Sequence, residues 1–135
     1  MRRYKVVSIF SGAMGLDAGL HQTRRFELLA AVEKEPSFCA TIRANRENGL
    51  LDPGLLVVEK DIRDVDPARL LSELGIEPGE LDVLVGGPPC QSFSTAGRRR
   101  TTQDPRGALL WDFLRFVEAM KPRFFLMENV RGLIS

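Results

Sequence analysis

Cys90 stands where rigid backbone and a reactive side chain meet, in the stretch Gly86-Gly87-Pro88-Pro89-Cys90-Gln91-Ser92-Phe93-Ser94. The glycines let a ligand approach the backbone closely, and each proline fixes φ and removes an N–H donor. A thiol on such a tip can serve as a nucleophile once ionised, but a free thiol titrates near pH ~8.5 and needs help from its surroundings. The competing reading is a cysteine packed as a small hydrophobe, the commoner case for an arbitrary one. His21, the single histidine, lies beside the first turn of the chain, which disfavours a papain-like protease. Glu128 is the more interesting partner. It follows the apolar run Phe124–Met127, and a carboxyl held there could donate to, or stabilise, a protonated ring nitrogen. A capping or loop glutamate is the plain alternative.

A second group of residues could hold a nucleotide. Ser11-Gly12-Ala13-Met14-Gly15 is a small-residue turn after an apolar run, Glu33 ends the next run, and Asp61 with Ile62 follows the third. An acid at the end of the second strand of a nucleotide-binding sheet accepts hydrogen bonds from ribose hydroxyls. Asp61 could accept from an adenine amino group. Helix capping or a solvated loop charge is the plain alternative for either acid, and the position of both at strand ends favours the cofactor role. No Gly-x-x-x-x-Gly-Lys phosphate loop is present, which favours an adenosyl compound without phosphates over ATP.

These residues need a scaffold, and the chain provides alternating strands and helices. Lys5 to Phe10 reads as a strand and Met14 to His21 as a helix. Phe26 to Val32 is the second strand, and Pro36 opens a helix that stops near Asn48-Gly49. Leu55 to Val58 is the third strand. Asp66-Pro67 opens a helix with inner face Leu70, Leu71 and Leu74, and aspartate is its expected N-cap. Leu81 to Val85 is a fourth strand leading into the cysteine tip, and a polar loop runs from Gln91 to Arg106. Ala108 to Met120 carries Leu109, Leu110, Phe113, Phe116, Val117 and Met120 at helical spacing, and Phe124 to Met127 is the fifth strand. The alternation predicts an α/β fold, a parallel sheet with helices on both faces. The turn, Glu33, Asp61, Cys90 and Glu128 all fall at C-terminal strand ends, the edge where such sheets bind ligands.

Composition sets the frame. The 135 residues are 44% hydrophobic and 27% charged, the balance of one folded domain rather than a disordered chain. A net charge of +1 argues against a wholly basic nucleic-acid module but allows a local basic groove. Two cysteines, Cys39 and Cys90, make neither a disulfide framework nor a metal site, so no metal is expected and a reducing compartment is. The basic start Met1-Arg2-Arg3 and its apolar run are too short for a signal peptide, and no segment has the length of a membrane span.

Together the motifs resemble those of the DNA (cytosine-5) methyltransferases that use S-adenosylmethionine. Phe10-Ser11-Gly12-Ala13-Met14-Gly15-Leu16 is similar to the family's first cofactor motif. Gly87 to Ser94 is similar to its catalytic loop, Asp104-Pro105-Arg106-Gly107-Ala108-Leu109 to its next motif and Met127-Glu128-Asn129-Val130 to its glutamate motif. The resemblance covers nearly the whole chain and implies a Rossmann-like methyltransferase fold truncated after the fifth strand, with residues 1–135 as the N-terminal part of the catalytic domain. It implies cofactor contacts at Phe10, Ser11, Gly12, Gly15, Glu33, Asp61, Ile62, Gly87, Pro89 and Leu109. Cys90 is the implied nucleophile toward C6 of a cytosine flipped out of duplex DNA, with Glu128 assisting at N3. Gln91, Ser94, Arg98, Arg99 and Arg100 are the implied DNA contacts. The cysteine separates this family from adenine-N6 methyltransferases, which carry Asn/Asp-Pro-Pro-aromatic and form no covalent adduct.

The chain departs from the family pattern in places. Ser8 stands where most members have an acid, Met14 replaces a commonly seen glycine, and Lys34 replaces a frequent aromatic. The family's later catalytic motif, target recognition domain and closing cofactor motif have no counterpart, so a truncated product or one half of a split enzyme is expected. A complementing C-terminal chain and a restriction endonuclease are the expected partners, in a bacterial-type cytoplasm with nucleoid association on DNA. A non-catalytic S-adenosylmethionine-binding module and a tRNA cytosine-5 methyltransferase remain as alternatives.

Overall fold

In the computed structural model, residues 2–88 and 107–128 are described. They form strands β1 (Tyr4–Ile9), β2 (Phe26–Glu33), β3 (Leu56–Glu59), β4 (Val83–Gly86) and β5 (Phe124–Met127). The helices are α1 (Gly15–Gln22), α2 (Pro36–Glu47), α3 (Pro67–Glu73) and α4 (Gly107–Met120), with a 3₁₀ turn at Ile62–Asp64. The strands make one sheet in the order β3-β2-β1-β4-β5, with every pairing parallel. Connection direction reverses beside β1, so a crevice opens between the C-terminal ends of β1 and β4, where such sheets take ligands.

Side-chain alternation along the strands feeds two cores, one on each face. Val7, Ile9, Ala30, Val32 and Leu84 pack with Leu70, Leu71, Phe113, Phe116 and Met120 of α3 and α4. Val6, Leu28, Ala31 and Val85 pack on the other face with Ile42 of α2 and with Leu16 and Leu20 of α1. Capping follows the sequence expectation at α3, where Asp66 accepts from the Ala68 and Arg69 N–H groups and Pro67 takes the first turn.

Element edges differ from the sequence reading for local reasons. Met14 caps α1 in the left-handed region, at φ 63°, instead of starting the helix, and its side chain is buried in the second core. β4 starts at Val83, because Asp82 turns its carboxylate inward and accepts the Lys5 N–H at 2.8 Å. Asp82 also meets Arg2 and Arg123, tying β1, β4 and β5 together at the end opposite the crevice. Asp52 makes a second clamp, accepting from the Leu28 N–H, Arg3 and the His21 ring. His21 is thereby engaged at the far end of α1, away from the crevice.

β5 is an outer strand, paired with β4 alone among the described residues. Phe124 is 73% exposed, and Phe125 and Leu126 are also exposed, as is Trp111 on α4. Among the described residues the sheet therefore presents an open apolar edge. Among the described residues no helix is long and apolar enough to cross a membrane.

Candidate functional site

The turn after β1 is shaped by three residues with positive φ, namely Phe10 (51°), Gly12 (54°) and Met14 (63°). For Phe10 and Met14 this is a costly conformation that surrounding structure must impose. The restraints are visible. Ser11 donates its N–H and hydroxyl to the Val32 carbonyl, both at 3.3 Å, and its hydroxyl lies 2.9 Å from that of Ser8. The Met14 N–H returns to the Ser11 carbonyl at 2.9 Å.

Glu33 holds the turn from the end of β2. Its carboxylate accepts the Gly12 N–H at 2.9 Å and the Glu35 N–H at 2.8 Å. Both oxygens are thus oriented by backbone, with lone pairs left for a ligand hydroxyl.

Asp61 plays two parts. It caps the 3₁₀ turn by accepting the Arg63 N–H, and it receives the Arg63 guanidinium at 3.0 and 2.7 Å. The Arg63 side chain and backbone N–H hold its carboxyl down at about 2, so it is a permanent anion near neutral pH. The capping explanation is therefore correct, yet Asp61 also lines the cavity. Arg115 of α4, which sequence reasoning passed over, fixes this region by donating to the Ile62 and Val65 carbonyls at 2.9 and 3.0 Å. Its signal in sequence was weak, an arginine on the rim of an otherwise apolar helix face.

On the β4 side the limiting residue is Gly86. A Cβ there would lie 2.6 Å from the Ile9 carbonyl oxygen and 3.0 Å from the Phe113 ring, so no side chain fits. Gly87 faces Glu128 instead, and a Cβ there would find Glu128 at ordinary contact distance. The Glu128 N–H donates to the Gly86 carbonyl at 2.9 Å, which places the glutamate beside the glycine tip.

Two cavities meet across this framework. The first, about 470 Å³, lies under the ends of β2 and β3 and is lined by Phe10, Gly12, Glu33, Lys34, Phe38, Lys60, Asp61, Ile62, Arg63, Gly87 and Leu109, among others. The second, about 380 Å³, is lined by Ser8, Phe10, Ser11, Gly12, Gly15, Asp17, Gly86, Gly87 and Glu128, among others. Phe10, Gly12 and Gly87 line both, so the two form one crevice. Every described residue expected to contact a cofactor lines it, as does Glu128. Pro89, Cys90, Gln91, Ser94, Arg98, Arg99 and Arg100 lie outside the described residues.

Asp17 was not anticipated. It is 3% exposed and lines the second cavity, and burial pushes its carboxyl up to about 6, with Ser8 opposing the rise and the nearby Glu128 charge adding to it. The sequence signal lay in Ser8: a strand position without the acid that most members of the resembled family carry, with a carboxylate in the first turn of the following helix.

Comparison with known proteins gives a consistent picture. Residues 4–135 match the C-5 cytosine-specific DNA methylase family. The chain is 44% identical to the type II methyltransferase M.AquIA of Picosynechococcus sp. over 97% of its own length and 50% of the relative's. It is 39% identical to M.NgoPII of Neisseria gonorrhoeae, over 97% of itself and 34% of that protein. The chain thus spans half or less of these relatives. Among solved structures, a putative S-adenosyl-L-methionine-dependent methyltransferase from Methanococcus maripaludis superposes with a TM-score of 0.56 at 12% identity, over 98% of this chain and 50% of that one. The precorrin 8w decarboxylase of Methanobacterium thermoautotrophicum gives 0.57 at 20% identity, over 93% and 54%. At these identities the structural likeness concerns the fold.

Proposed function

The chain belongs to the C-5 cytosine-specific DNA methylase family, and on that premise we propose that it forms the cofactor-binding, nucleophile-bearing part of an enzyme that methylates C5 of cytosine in DNA. The observation that carries this reading is the continuous crevice that gathers Phe10, Gly12, Glu33, Asp61, Gly87, Leu109 and Glu128 at one sheet edge.

S-adenosylmethionine fits what the crevice offers. Glu33 keeps acceptor capacity for a ribose diol, Asp61 for an adenine amino group, and Phe10, Ile62 and Leu109 give apolar walls for a flat base. When bound, this cofactor supplies an electrophilic methyl group. The remaining chemistry belongs to the chain. Cytosine C5 is a poor nucleophile, and addition of the Cys90 thiolate to C6 would break the C5–C6 double bond and place electron density on C5. Glu128 would hold the proton at N3 that makes this addition favourable. Loss of the C5 proton and expulsion of the Cys90 thiolate would then restore the aromatic ring. The target base must leave the duplex, at roughly a few kcal/mol of unpairing. Gln91, Ser94 and Arg98 to Arg100 would meet the phosphates and the vacated stack.

The open edge of β5 supports a further part of the reading. Phe124, Phe125 and Leu126 are exposed on a parallel edge strand, a surface that accepts another strand and its covering helices. We take the occupant to be additional methyltransferase polypeptide carrying the DNA-recognition elements, in the same chain or as a complementing one. The relatives' type II designation makes a cognate restriction endonuclease the natural companion, with both working on cytoplasmic DNA.

The test is methyl transfer from labelled cofactor to DNA and, in parallel, to tRNA, using the chain together with the additional methyltransferase polypeptide proposed to cover β5. Label at C5 of DNA cytosine supports the proposal. Label confined to tRNA moves the substrate to RNA, and no transfer to either sinks the catalytic reading.

A further inference from the structure

Asp17 carries chemistry that the reaction above leaves unused. Its Oδ1 is fully enclosed and has no hydrogen-bond partner, the single such side-chain atom among the described residues. The side chain lies against the second cavity, whose described lining holds two carboxylates, Asp17 and Glu128, and no lysine, arginine or histidine. A carboxylate oxygen so placed is unfavourable unless a proton or a cation reaches it. No cationic side chain of the described lining is there to pair with it, which leaves that role to a ligand.

The shape of the crevice says which cation. Phe10, Gly12 and Gly87 line both cavities, so a ligand whose nucleoside occupies the first extends its 5′ substituent into the second. In an adenosyl amino acid that substituent ends in an α-ammonium group, with N–H donors and a full positive charge. Glu128 is exposed and faces the glycine tip, whereas Asp17 is buried at the base of the turn. Resting on the reading of this crevice as a cofactor site, we propose that Asp17 is the counter-ion for the α-ammonium of the cofactor's amino-acid tail. Asp17 thereby selects ligands that carry the tail over bare nucleosides. A charge-assisted hydrogen bond in an enclosed site is stronger than its exposed equivalent, so its loss is measurable in binding alone.

The experiment is calorimetric titration of the full chain and its Asp17→Asn variant with S-adenosylhomocysteine and with 5′-methylthioadenosine, which lacks the tail. The expected result is a tenfold or greater loss of S-adenosylhomocysteine affinity in the variant, with methylthioadenosine binding unchanged within twofold. Equal weakening of both ligands, or no change in either, overturns the proposal while leaving the cofactor reading intact. Failure of the wild-type chain to bind either ligand overturns the cofactor reading and this proposal with it. A ligand-side arm needs no variant: S-adenosylhomocysteine with its amino group replaced by hydrogen should bind the wild-type chain at least tenfold more weakly. Equal affinity for that analogue contradicts the proposal.

Discussion

Replacing Asp17 with asparagine should stabilise the ligand-free chain at neutral pH, and progressively less as the pH falls. Burial raises this carboxyl from 3.8 to about 6, so ionising it costs the folded state more than the unfolded one. At 1.36 kcal/mol per unit, the penalty carried above pH ~7 is about 3 kcal/mol. The sign follows from proton binding. Between the two values the folded chain holds the proton more tightly, so Asp17's contribution is most favourable below pH ~4 and declines as pH rises through about 6. The replacement carboxamide has no such titration, and about 2 kcal/mol of the difference should emerge between pH ~4.5 and ~8. A buried carboxamide with one unpaired end returns roughly 1–2 kcal/mol of the gain, so the pH dependence of the difference is the cleaner signal. Asp52 and Asp61, whose carboxyls are held low by their hydrogen-bond partners, lose stabilisation as pH falls, and they cancel in the comparison. Urea unfolding of both proteins across this range is the assay. A variant no more stable at the alkaline end of the range, relative to wild type, than at the acid end would refute the reasoning.

Other substitutions probe the rest of the crevice. Gly86→Ala should cost roughly 2–3 kcal/mol in urea unfolding, because its Cβ would collide with the Ile9 carbonyl and the Phe113 ring, while Gly87→Ala should unfold like wild type. Glu33→Gln keeps one of two backbone N–H partners and should lose about 1–2 kcal/mol of stability. It should also weaken adenosine-ligand binding by about tenfold or more by calorimetry, as a charged acceptor is lost. Phe124→Lys on the β5 edge should reduce self-association of the chain in light scattering while shifting unfolding by no more than ~0.5 kcal/mol, since Phe124 is 73% exposed.

Local chemistry made much of the scaffold legible. Pro36 and Pro67 mark helix starts, Asp66 caps where a cap was expected, and the spacing of Phe113, Phe116 and Met120 marks a helix laid on a sheet. The sites at strand ends followed from that alternation, and Glu33 and Asp61 indeed open onto one cavity. What stayed hidden depends on long-range packing. Asp82 looks like a strand residue until Lys5, Arg2 and Arg123 close on it, and Asp52 looks like a loop charge until Leu28, Arg3 and His21 do. Asp17 reads as an ordinary acid in a helix's first turn, favourable there for the helix dipole. It is buried behind a turn with left-handed kinks at Phe10, Gly12 and Met14, and sequence suggests such kinks at glycine only.

The central claim is that Cys90 attacks a cytosine ring, and trapping measures it directly. Duplex DNA carrying 5-fluorocytosine cannot lose fluorine as it would a proton, so the enzyme should remain covalently bound after methyl transfer. With S-adenosylmethionine and the additional methyltransferase polypeptide present, in the same chain or added, the account predicts a denaturation-resistant adduct of this chain with DNA that Cys90→Ser abolishes. An adduct that survives Cys90→Ser, or methylation of DNA cytosine with no adduct at all, would contradict it.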